Sequence, residues 1–123
     1  MKLRIHGNSL RLRLTRSEVE QLTETGFCTE SLCFGPGSRL TYMLEASPDV
    51  TLIDVEYGED CIRVFLPRDM AQAWAGSDQI SLCSERAELG RPSLLIEKDF
   101  QCLHPKETTP NEAADAFPNP SAA

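Results

Sequence analysis

Leu10-Arg11-Leu12-Arg13-Leu14-Thr15-Arg16-Ser17-Glu18 alternates apolar and basic residues and then runs into Thr-x-x-Glu. Strict alternation puts Leu10, Leu12 and Leu14 on one face of a strand and Arg11 and Arg13 on the other. Thr15-Arg16-Ser17-Glu18 fits a capping box, in which the Thr15 hydroxyl accepts from the amide three residues on and Glu18 reaches back. The stretch therefore predicts a half-buried strand handing over to a short helix, with Val19 and Leu22 facing inward and Gly26 ending it.

Working outward, Lys2 to His6 also alternates, with Leu3 and Ile5 on one side, so residues 2–14 predict a hairpin turning at Gly7-Asn8-Ser9. Two further strands fit 27–34 and 39–46 around Gly35-Pro36-Gly37-Ser38. The same order then returns: strands at 51–57 and 62–66 around Gly58-Glu59-Asp60, a helix over 67–74 with Met70, Ala73 and Trp74 as its apolar side, and strands at 79–84 and 93–98.

At an offset of 52 residues, Leu10 to Leu14 meets Ile62-Arg63-Val64-Phe65-Leu66, Val19 meets Ala71, Leu22 meets Trp74, and Leu44-Glu45 meets Ile96-Glu97. The chain reads as ββαββ twice. Each half has too little core to stand alone, so the expectation is an α+β fold, a small antiparallel-sheet domain with pseudo-twofold symmetry. It covers residues 1–103, with halves of about 1–50 and 51–103. From His104 onward, twenty residues contain no Leu, Ile, Val or Met and hold four of the eight prolines. That composition predicts an extended or disordered acidic tail over 104–123.

The 123 residues carry 12 Lys and Arg against 19 Asp and Glu, a formal charge of −7, which argues against general nucleic-acid binding. No run of apolar residues is long enough to span a membrane, and no secretory leader is evident. Five cysteines, without CxxC pairs, suit a reducing cytoplasm. The acidity is uneven: residues 1–51 hold six basic and six acidic side chains, 52–103 five and ten, and the tail one and three.

Lys2, Arg4, His6, Arg11 and Arg13 share the outward face of the first hairpin, a concentration of positive charge suited to a phosphate, a carboxylate or an acidic partner. A solvated strand face is the plainer account of the same residues. Cys28 and Cys33, five apart, fall on opposite faces of a regular strand and so read as buried structural thiols rather than metal ligands, as do Cys61 and Cys83 beside their apolar runs. Cys102 and His104 are two apart at the start of the tail, and offer two ligands toward a transition metal where a site needs at least three. Asp54, Glu56, Glu59 and Asp60 are the densest carboxylates for acid–base work, on a hairpin face and turn where solvation is the ordinary explanation. No nucleotide-binding or nucleophile motif occurs, so the residues point away from an enzyme.

Met1 to Leu14, Ser17-Glu18-Val19, Leu95-Ile96-Glu97-Lys98-Asp99-Phe100-Gln101-Cys102-Leu103 and Asp115-Ala116-Phe117-Pro118-Asn119-Pro120 together resemble a family of short uncharacterised bacterial proteins. The resemblance spans nearly the whole chain and implies a bacterial cytoplasmic protein, with no established activity and therefore no catalytic residue to carry over. Lys106 stands where the family often has arginine. A tail pattern around Phe117 and Asn119 shared across a family implies docking on the body or on a partner.

The sequence thus supports a small binding module that uses the basic hairpin face and the tail to hold a protein partner or a small anionic ligand. Another copy's acidic half would serve as such a partner, making a homo-oligomer. No cofactor is expected; a metal on Cys102 and His104, or a carboxylate hydrolase, is the alternative.

Overall fold

The computed structural model describes residues 1–84 and 90–100. The expected tail, with Cys102, His104, Phe117 and Asn119, lies outside them. The elements follow in the order β1 (Lys2–His6), β2 (Ser9–Leu14), α1 (Arg16–Thr25), β3 (Phe27–Gly35), β4 (Ser38–Ser47), β5 (Asp54–Gly58), β6 (Cys61–Pro67), α2 (Arg68–Ala75), β7 (Ser81–Ser84) and β8 (Ser93–Lys98). The double ββαββ order stands. Among the described residues, no helix is long and apolar enough to cross a membrane.

The two halves do not keep to separate sheets. One sheet has the order β1-β2-β8-β7 and the other β3-β4-β6-β5, so each joins the first hairpin of one half to the second hairpin of the other. All four hairpins are antiparallel, while the joints β2–β8 and β4–β6 are parallel. Alternation alone cannot distinguish the two senses of pairing, because both keep a side-chain period of two.

The 52-residue offset holds in the register. Leu10 pairs with Leu94, while Ile62 and Tyr42, their equivalents at that offset, pair with each other. It holds in the core as well: Met1 and Ile53, Leu12 and Val64, Leu14 and Leu66, Val19 and Ala71, Leu22 and Trp74, and Leu44 and Ile96 are all buried in one cluster. On α2 the inward residues are Ala71 and Trp74, with Met70 partly buried, whereas Ala73 faces solvent, contrary to expectation. Ala71 and Trp74 at i, i+3 are the spacing that Val19 and Leu22 show on α1. Trp74 is fully buried, its indole N–H donating to the Ile80 carbonyl at 3.2 Å and Lys98 Nζ 5.5 Å from the ring centre. Ile5 lies on the core side of β1, yet it is 59% exposed, on a strand that ends its sheet among the described residues.

Helix α1 starts as its sequence requires. Glu18 N–H donates to Thr15 Oγ1 at 3.3 Å and Thr15 N–H to Glu18 Oε1 at 2.9 Å, and Gly26 closes the helix at φ 90°. Glu18 has a second task, since its other carboxylate oxygen accepts from the buried Met1 ammonium, which also reaches Glu30 at 3.4 Å. Burial alone pushes the ammonium's pKa down, but the Glu18 hydrogen bond and charge, with Glu30 behind it, outweigh this and hold it above its ordinary value. Burial likewise favours the neutral Glu18 carboxyl, and the ammonium and Thr15 reverse that to leave its pKa lowered. One residue thus links the start of the chain to the first turn of α1.

Three outcomes follow from these contacts. The lowered Glu18 pKa stabilises the fold above the ordinary carboxylate range, and the raised amine pKa stabilises it below the ordinary amine value. The urea stability lost in Glu18→Gln, read by the fluorescence of the single tryptophan, is therefore largest between about pH 5 and 8 and shrinks on either side. A loss independent of pH would mean that the ion pair adds nothing. At the β5–β6 turn, Glu59 and Asp60 have φ of 52° and 58°, a conformation that asparagine and glycine adopt at lower cost. Glu59→Asn with Asp60→Gly is expected to raise stability by about 0.5–1 kcal/mol in thermal unfolding. Finally, fragments 1–50 and 51–123 each lack strands needed by both sheets, so neither alone should give the far-UV spectrum of the intact chain, whereas co-expression should restore it.

Candidate functional site: a basic sheet face

The β1–β2 register sets Lys2 opposite Arg13, Arg4 opposite Arg11 and His6 opposite Ser9. Because Leu10, Leu12 and Leu14 fill the core from the other face, all five basic residues named from the sequence share the outer face of the sheet. Parallel β8 then lays Leu95 beside Arg11 and Glu97 beside Arg13. Glu97 Oε1 takes Arg13 at 2.9 Å and lies 3.7 Å from Arg11, and Asp99 lies 3.3 Å from Lys2. Four guanidinium or ammonium groups thus share a face on which these contacts supply two carboxylates.

Pairs this exposed each contribute about 0–1 kcal/mol. The Arg4–Arg11 juxtaposition works against them, because like charges directly opposite on a sheet repel. Around it lie two open depressions, one of about 100 Å³ lined by Arg4, His6, Ser9 and Arg11, and one of about 310 Å³ lined by Lys2, Leu3, Arg4, Arg11 and Arg13. An anion seated there would relieve the repulsion and accept from several donors together.

The outer face of the second sheet occupies the pseudo-symmetric position with its charges changed. Asp54 stands where the first half has Lys2, Glu56 where it has Arg4, and Arg63 where it has Arg11. Glu56, Tyr57, Gly58, Glu59 and Arg63 line an open depression of about 270 Å³. Glu56, Glu59 and Asp60 are exposed, and Asp54 is ion-paired with Arg91.

Cys28 is buried, its thiol directed at the Glu18 carbonyl at 3.2 Å; burial first, and the Glu18 charge second, push its pKa up. Cys33 is exposed, contrary to the expectation of a buried thiol; the strand is regular between the two cysteines, so Cys33 lies on the face opposite Cys28, and the register shift comes only after Cys33. Cys61 is buried as expected, but Cys83 is exposed, because it lies on the outer face beside Leu95. Among the described residues, no three His, Cys, Asp or Glu side chains cluster to hold a metal.

Sequence reasoning identified the five basic residues but not Glu97 and Asp99, which partner three of them. Those partners depend on the β2–β8 joint, and a pairing across 84 positions leaves no local trace. The exchange of Lys2 and Arg4 for Asp54 and Glu56 was visible at the offset of 52.

Comparison with known proteins adds a family and nothing about activity. No curated protein and no solved structure matches the chain. A family profile does match, over residues 1–121, and the chain belongs to that family, the family of unknown function DUF7009.

Proposed function

We propose that this protein is a small interaction module of the bacterial cytoplasm that holds an anionic group, on a small ligand or an acidic protein segment, against the outer face of β1 and β2. The observation that carries the reading is Arg4 directly opposite Arg11, with Lys2 opposite Arg13 beside them. Like charges directly opposite on a sheet repel, and an anion seated among them offsets that repulsion. His6 and Ser9 add a ring nitrogen and a hydroxyl at the same place. The tail residues Phe117 and Asn119 serve as a second contact, a role that rests on the sequence pattern alone. The metal alternative rests on Cys102 and His104, which lie outside the described residues.

Calorimetric titration with polyglutamate and with inorganic phosphate tests the reading. Binding is expected at low ionic strength, at least about tenfold weaker in about 0.5 M salt and in the double variant Arg11→Ala/Arg13→Ala. Arg63→Ala, on the other sheet, should bind as the native chain does. Affinity indifferent both to salt and to the double variant would overturn the proposal.

A further inference from the structure

Among the described residues, strands β1 and β5 occupy equivalent positions, each ending its sheet with a strand neighbour on one side only. Such an edge is a template for another strand, and side-chain charge commonly decides what pairs with it. The two edges share a backbone course and differ in sign. On their outer faces β1 carries Lys2, Arg4 and His6, and β5 carries Asp54 and Glu56. Their other faces expose apolar side chains, Ile5 at 59% and Tyr57 at 70%.

We infer that β1 of one copy pairs antiparallel with β5 of a second copy of this chain, joining the two different sheets into one continuous sheet. In the register that overlaps all five residues of each strand, Arg4 falls opposite Glu56, His6 opposite Asp54, Leu3 opposite Tyr57, Ile5 opposite Val55 and Lys2 opposite Gly58. Residues directly opposite share a face, so Arg4 and Glu56 form a pair of opposite charge and the other face gains two apolar pairs. Arg4–Glu56 lies at the centre of this overlap and is its contact between opposite charges. The homotypic alternatives fail on charge: β1 against β1 in full overlap sets Arg4 opposite Arg4, and β5 against β5 sets Glu56 opposite Glu56. The contact is heterologous, so every copy keeps one edge of each kind and assembly continues as a row or closes as a ring.

This inference goes beyond anion binding, because it uses the strand edge where that reading uses the sheet face. Sedimentation velocity on the full chain tests it. The expected result at low salt is a mass that rises with concentration, and an association constant at least about tenfold lower in Arg4→Glu and in Glu56→Arg. An equimolar mixture of these two variants should associate again, since one has a carboxylate at the centre of both edges and the other a guanidinium at the centre of both. Matching far-UV spectra establish that both variants are folded. A native chain that stays monomeric at every concentration, or a mixture that does not recover, overturns the inference. Monomeric behaviour with polyglutamate binding intact would remove the edge contact alone; Arg11→Ala/Arg13→Ala should lose polyglutamate and keep self-association.

Discussion

Two parallel joints, β2 with β8 and β4 with β6, hold this structure together, and each binds a hairpin of one half to a hairpin of the other. Neither sheet belongs to a single repeat. The inner face of each sheet is therefore lined from both halves, Leu12 and Ile96 in one and Val64 and Leu44 in the other, and the helices complete one core shared by both. A hairpin alone is at best marginal in water, so the exchange makes the two halves obligatory partners.

The local elements were legible in the sequence because local physics sets them: alternation for Leu10 to Leu14, a capping box for Thr15 to Glu18, and turn residues between strands. The repeat was legible because the core positions kept apolar character 52 residues apart. Which hairpin lies beside which was not, since a sheet joint is fixed by packing across the core, and side chains alternate identically whether the neighbour is parallel or antiparallel. The inward side of α2 was misassigned at Ala73. Ala71 and Ala73 are alike in character, and what separates them is the 52-residue offset, which sets Ala71 against the inward Val19.

The basic face was legible as a pattern and incomplete as a site. Five of its residues came from one hairpin, where sequence neighbours are spatial neighbours, while Glu97 and Asp99 entered from the far end of the chain. Across the pseudo-twofold the interior and surface have diverged differently. Leu12 and Val64 do the same work, while Lys2 and Asp54 give equivalent backbone positions opposite charge. Two edges of one geometry thereby became distinguishable without altering the fold.

The β2–β8 joint also imposes an order of events on a chain made from its amino end. Strand β2 is complete by Leu14, but its parallel neighbour begins at Ser93, so Leu10, Leu12 and Leu14 have no sheet to finish until most of the chain exists. The second sheet closes earlier, once β6 ends at Pro67. Because local pairings form faster than distant ones, the sheet made of consecutive strands should assemble first and act as the platform on which the outermost segments of the chain meet.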